Sequence, residues 1–236
     1  LSFFHLGSPA NAVYALSNIG TSWLSREILA VSVFWGLLLV WFIVLKFPDR
    51  LAKASPIIQW VCALAGIVMV YTMARLYMIQ TVPPWNSLFT ISYFYSSSVL
   101  LGVPLLMFIL MKNDHYFSLR LQEQSDGTDL PVRYVFAVLI GLAFLSFILR
   151  SGYNLITDPA GNMPVFAPEV FSPWLKVLHF LLLGSAVSMF IVVLITPVIK
   201  KLKFKSNIVL VAFTFLMISE IIGRYMFYAG YYRLGV

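Results

Sequence analysis

The chain has 236 residues, of which 61% are hydrophobic, 16% aromatic and only 11% charged, against roughly 45 to 50% apolar and about 25% charged in a soluble domain. That balance excludes an ordinary soluble fold, and the abundance of large apolar side chains excludes disorder. A membrane protein remains, with a mean hydropathy of +0.90. The net charge of +7 is then a topology signal before it is a nucleic-acid signal. The single cysteine, Cys62, excludes an intrachain disulfide, a Cys-ligated zinc site and an iron–sulfur cluster held by this chain alone, since such clusters take about four thiolates.

A spanning helix needs about 20 predominantly apolar residues to cross a hydrocarbon layer about 30 Å thick. Six runs are read as spans. The first, 28–45, ends at Lys46, Pro48, Asp49 and Arg50, a charged turn that stops a helix. The second is 56–77, with Arg75 near its end, and the third is 87–111. No charge separates these two, so the break falls at Pro83, Pro84, Trp85 and Asn86. A shorter fourth run lies between Arg133 and Arg150, whose long side chains can snorkel to the two interfaces. The fifth, 176–199, contains His179 and Pro197, and the sixth runs from Ser206 to about Tyr232, interrupted by Glu220 and Arg224.

All the runs are continuous rather than alternating, which favours helices over a barrel. The opening segment, Leu1-Ser2-Phe3-Phe4-His5-Leu6-Gly7, reads as the last two turns of an earlier apolar helix and predicts a truncated N-terminus with at least one further span. The predicted fold is therefore an all-α polytopic membrane protein, a bundle of six complete transmembrane helices plus an N-terminal stub.

Six crossings alternate the loops between two sides. One side carries Lys46, Arg50, Lys53, Lys112, Arg120, Lys200, Lys201, Lys203 and Lys205, whereas the other holds only Arg26 and Arg233. The positive-inside rule places the Lys-rich loops in the cytoplasm and accounts for the net charge without nucleic acid. His5, Arg26, Glu27, Arg75, Trp85, Glu220 and Arg224 then all fall toward the outer side, periplasmic for a bacterial inner membrane.

A charge at mid-membrane costs on the order of 2.5 to 3.5 kcal/mol on insertion scales, so each such residue needs a reason. Glu220 and Arg224 are four residues apart with the acid first, an order that favours an ion pair on one helical face. They read either as a pair locking this helix to its neighbours or as a polar wall for an amphipathic ligand. His5 adjoins a Gly-Ser-Pro break and could transfer protons near neutral pH or serve as a structural histidine. His5 and His179 could in principle ligate one b-type haem, although two histidines in one leaflet are a common coincidence. Ser25 can cap the first span, with Glu27 suiting its helix dipole. Trp85 and Trp174 read as an interfacial aromatic belt, Cys62 as a core residue, and Ser96, Ser97, Ser98 and Gly102 as small residues for close helix contact. The long turn-rich loop 151–173 suits a surface cover or a partner contact.

Three segments go further. They are His5-Leu6-Gly7-Ser8-Pro9 with Ala12 and Ser22-Trp23-Leu24-Ser25-Arg26-Glu27-Ile28; Ala74-Arg75-Leu76-Tyr77 with Val82-Pro83-Pro84-Trp85-Asn86; and Glu220-Ile221-Ile222-Gly223-Arg224 with Phe227-Tyr228. In this order and spacing they resemble the membrane anchor subunit of dimethyl sulfoxide reductase, the DmsC-type family, over essentially the whole chain. The resemblance implies a single transmembrane anchor domain over 1–236, cut from an eight-span protein. It implies two partners, an iron–sulfur electron-transfer subunit with four [4Fe-4S] clusters and a molybdopterin catalytic subunit, and a role in oxidising menaquinol for them. His5 is then the residue at the quinol site, with Gly7 and Glu27 at family positions linked to it. Asn11 departs from the family, many members of which have a basic residue there.

The expectation is an anchor with a quinol site on the outer side and no metal of its own. His5 would accept a quinol proton, Glu27 would orient or relay it, and Gly7, Arg26, Arg75, Glu220 and Arg224 would line or shape the pocket. Two rivals stand beside it. A small-solute transporter would use the charged pair as a permeation path and predicts an internal repeat, and an anchor of the polysulfide or nitrite reductase type would share the partners but not the three motifs.

Overall fold

The computed structural model describes residues 17–47, 51, 53–82, 85–112, 173–195 and 202–229, together with Val138, Gly141, Leu145 and Ile148. Five long helices account for almost all of them: α1 (Trp23–Lys46), α2 (Ala54–Tyr77), α3 (Leu88–Lys112), α4 (Pro173–Ile195) and α5 (Leu202–Ala229). The protein is all-α among the described residues, and all five helices are long and apolar enough to cross a membrane. Helix is what the composition demands, because hydrocarbon offers backbone N–H and C=O groups no partner and a helix satisfies them within one segment. At about 1.5 Å per residue, the 24 residues of α1 exceed the thickness to be crossed.

Five of the six predicted runs correspond to these helices with shifted ends. Helix α1 begins five residues before the predicted span and so takes Arg26 and Glu27 into its first turns. Its cap is Ser22, whose side chain accepts from Ser25 N–H at 3.4 Å; Ser25, expected to cap, is instead buried in the first turn. At the far end Phe47 N–H bonds to Val44 C=O, and the Lys46 ammonium lies 5.4 Å from the Phe42 ring centre, stem in the apolar zone and charge at the helix end. Helix α2 tolerates Pro56 in its first turn, where that N–H would have no partner within the helix. Helix α3 contains the buried Pro104, which costs one intrahelical bond. The run expected at 133–150 is described only at Val138, Gly141, Leu145 and Ile148, which are helical and exposed. The N-terminal stub, with His5 and Gly7, lies outside the described residues, as do His115 and nearly all of the 151–173 loop.

The chain divides into two compact units, one of Leu1–Gln80 and Trp85–Phe94, the other of Thr81–Pro84 and Tyr95–Val236. In the first unit α1 packs against α2. Only 6% of the apolar stretch of α1 is buried, and Trp35, Leu39 and Phe42 are exposed, a surface suited to lipid and not to water. The two helices approach closely at Gly66, where an added Cβ would stand 3.3 Å from the Phe34 ring. In the second unit α4 packs against α5, and the core draws on three helices in matching steps: Leu100, Val103 and Met107; Leu183, Ala186 and Phe190; Val209, Ala212 and Leu216. Each set advances by three and then four residues, one stripe of a helix. Ala186 and Ala212 supply the small side chains that packing in a bilayer depends on.

Gly66→Ile should wedge α1 from α2 and cost about 1 to 3 kcal/mol, the usual penalty for overpacking. The check is a lowered melting temperature of the purified protein in lipid nanodiscs. Gly36→Ala, where an added Cβ meets nothing within 4 Å, should not lower it.

Candidate functional site

In the first unit a cluster of polar and aromatic residues forms where the start of α1 meets the end of α2. Trp23 of α1 is the hub. Its indole stands edge-on to Tyr71 of α2 with ring centres 6.2 Å apart. The Arg26 guanidinium carbon lies 4.4 Å from the Trp23 ring centre and that of Arg75, from α2, 4.8 Å. Arg26 Nε and Nη2 donate to the carbonyls of Ile19 and Gly20 at 2.8 and 2.7 Å, fastening the turn that precedes α1. Those bonds matter because a cation in a first helical turn opposes the helix dipole. Arg75, by contrast, sits in a last turn, where the dipole favours it. Its Nη1 reaches Met78 Sδ at 3.5 Å, and its Nε is buried without a hydrogen-bond partner among the described residues. Glu27, half-buried, follows Arg26 on the same helix.

The neighbouring turn between α2 and α3 is packed, not loose. Tyr77 meets Trp85 edge-on at 5.6 Å and stacks on Phe94 at 5.4 Å. The buried Thr90 hydroxyl donates to Trp85 C=O at 2.7 Å. Trp85 is 8% exposed, so the expected belt residue is a core residue: its indole fills the space between the helix ends. Trp174, at 79% exposed, does have the exposure of a belt residue.

In the second unit a buried polar link joins α4 to α5. His179 Nδ1 lies 2.9 Å from Ser219 C=O and 2.9 Å from Ser219 Oγ, and Ser219 Oγ lies 3.2 Å from His179 C=O. Because a carbonyl can only accept, Nδ1 carries the hydrogen; Oγ accepts there and donates its own hydrogen to the His179 carbonyl. Nε2 is left as the accepting nitrogen of the ring. Both side chains are fully buried. Glu220, next to Ser219, is buried as well, Arg224 is half-buried, and both have partners.

The structure thus brings Arg26 and Arg75 onto one indole, keeps Glu27 beside them, and puts Glu220 and Arg224 one turn apart on α5. His5 and Gly7 lie outside the described residues. Trp23 and Ser219 carry structural weight that the sequence did not assign to them: an aromatic residue three positions before an arginine, and a serine beside a buried glutamate, were the available signals. No group of three or more His, Cys, Asp or Glu able to hold a metal ion occurs among the described residues.

Comparison with known proteins bears on the same residues. The family profile "DMSO reductase anchor subunit (DmsC)" matches residues 1–230. The chain belongs to the DmsC family. The C subunit of the anaerobic dimethyl sulfoxide reductase of Haemophilus influenzae is 31% identical over 172 residues, 70% of this chain and 58% of that protein. The corresponding C subunit of Escherichia coli is 29% identical over 245 residues, 100% of this chain and 77% of its own length. The YnfH subunit of an anaerobic dimethyl sulfoxide reductase of the same organism is 35% identical over 114 residues, 47% of this chain and 39% of that protein. The chain therefore spans little more than half the length of the Haemophilus protein that it matches. No solved structure gives a significant match.

For this DmsC-family protein the α4–α5 link gives a direct expectation. A double-mutant cycle on His179→Leu and Ser219→Ala should yield a coupling energy of about 0.5 to 1.7 kcal/mol, the range of interhelical hydrogen bonds in bilayers. Unfolding free energies of the two single variants and the double variant in bicelles measure it; additive losses would mean that the two groups do not interact.

Proposed function

We propose that this chain is the membrane anchor subunit of an anaerobic respiratory molybdoenzyme of the dimethyl sulfoxide reductase type, binding and oxidising menaquinol and passing the electrons to an iron–sulfur subunit. The observation that carries this reading is the family match over residues 1–230, which runs through all three quoted motifs, together with five apolar helices fit to span a membrane. An iron–sulfur electron-transfer subunit and a molybdopterin catalytic subunit are the proposed partners, since one cysteine cannot hold their clusters here. The protein sits in the bacterial inner membrane with its Lys-rich loops cytoplasmic, the side that the positive-inside rule favours.

Menaquinol gives up two protons and two electrons. The electrons leave for the [4Fe-4S] clusters of the partner, so this chain's own task is to seat the quinol and take the protons. His5 accepts the first, a role open to an imidazole as a general base. Glu27 orients that transfer or relays the proton outward; its position beside a packed Trp–Arg cluster suits a fixed acceptor. Gly7, two residues after His5 in the sequence, is the second quinol-site position proposed in that segment. Arg26 and Arg75 shape the quinol site from the α1–α2 end, and Glu220 and Arg224 are the polar residues that the alternation of loops assigns to the same membrane face.

His5→Leu should lower quinol-dependent reduction by about 10²-fold or more, the usual worth of a positioned acid–base group, and leave reduction by an artificial donor to the soluble subunits intact. Glu27→Gln should lower it less. Assays of the membrane-bound complex with a menaquinol analogue and with a viologen separate the two routes, and unchanged quinol oxidation in the His5 variant would refute the assignment.

A further inference from the structure

Two cations share one ring at the α1–α2 end, and the described residues give them little to hold. Laid end to end, the two ring distances put the Arg26 and Arg75 guanidinium carbons no more than about 9 Å apart, close enough to repel in a weakly screening medium. Among the described residues neither has a carboxylate within ion-pair reach. Arg26 spends Nε and Nη2 on backbone carbonyls, whereas Arg75 has only a thioether at 3.5 Å, a weak acceptor. Arg26 Nη1 and Arg75 Nη2 donate to no acceptor among the described residues. Trp23 offsets part of the cost through its ring face but adds no negative charge.

The surroundings indicate what fits. The cluster sits at the ends of two apolar spans, at the depth where a bilayer changes from hydrocarbon to headgroups. Leu24 beside it and Ile67, Val68 and Tyr71 on the turns of α2 leading to it are exposed, an apolar flank suited to acyl chains. Planar guanidinium forks match a phosphate with paired, charge-assisted hydrogen bonds.

We infer that Arg26, Trp23 and Arg75 form a seat for one anionic phosphate group, taken by Arg26 Nη1 and Arg75 Nη2 while Trp23 holds the two guanidiniums in place. The group comes from a phospholipid headgroup or from free phosphate; the chemistry is the same and the experiment separates the sources. The seat goes beyond the quinol reading, in which these arginines shape a pocket, and states what their guanidiniums hold.

The test is native mass spectrometry of the full-length protein, with any subunits that accompany it, released from nanodiscs. The nanodiscs contain phosphatidylglycerol or an uncharged galactolipid with the same acyl chains. The wild type should retain one more tightly bound phosphatidylglycerol than the Arg26→Gln/Arg75→Gln variant, whose retained fraction should fall about tenfold or more. Lys46→Gln/Lys112→Gln removes as much charge from other helix ends and should leave that lipid in place. Arg75→Lys, which keeps the charge but loses the fork, should fall between. Displacement of the lipid by millimolar inorganic phosphate assigns the seat to the free ion, and retention in its presence assigns it to the lipid headgroup. Equal loss in the lysine and arginine double variants, or unchanged retention in the arginine variant, would overturn the seat. Because the readout is lipid retention and not quinol oxidation, either idea can fail while the other stands.

Discussion

A polar group that enters hydrocarbon has to bring its own partner, and almost every feature of this protein follows from that rule. The backbone obeys it by staying helical wherever the sequence is apolar. His179 obeys it by exchanging hydrogen bonds with Ser219 on the adjacent helix, each using both a ring or hydroxyl group and a main-chain carbonyl. Arg26 obeys it by turning back to Ile19 and Gly20. Where the rule is met only in part, as at Arg75, the residue lies at a helix end, next to the surface where further partners are found.

That same economy shapes the region where the start of α1 meets the end of α2. Helix α1 presents most of its length to lipid, so its packing against α2 depends on a few places: the close approach at Gly66 and Phe34, and the Trp23–Tyr71–Arg75 contact at the end. The Tyr77–Trp85–Phe94 stack closes the adjoining turn. An aromatic floor of this kind would suit the proposed quinol site, because small displacements of acid–base groups cost large factors in rate. The residues proposed for quinol chemistry flank this floor in sequence, His5 and Gly7 before it and Glu27 within it.

Charge and hydropathy are enough to announce membrane helices, to place five of them within a few residues, and to bring three motifs to a family, because those signals are linear in the sequence. Spans are set by how many apolar residues occur in a row, and orientation by where lysines stand relative to them. Faces are not legible in the same way. Residue type does not distinguish Leu100, Leu183 and Leu216, which are buried, from Leu105, Leu181 and Leu210, which are exposed.

The start of α1 escapes a sequence reading for a related reason: Ser22 and Ser25 both can cap, and only the packing of Ser25 against its surroundings leaves the task to Ser22. Trp85 reads as a belt residue because tryptophan favours interfaces, yet Tyr77 and Thr90 enclose it. Composition and order along the sequence therefore determined that this is a helical membrane protein of the DmsC family and which residues carry charge. Tertiary structure alone decided which apolar faces meet, that two arginines share one tryptophan, and that a histidine and a serine 40 residues apart satisfy each other. Those pairings depend on rotation about helix axes, which a uniformly apolar sequence does not encode in its periodicity.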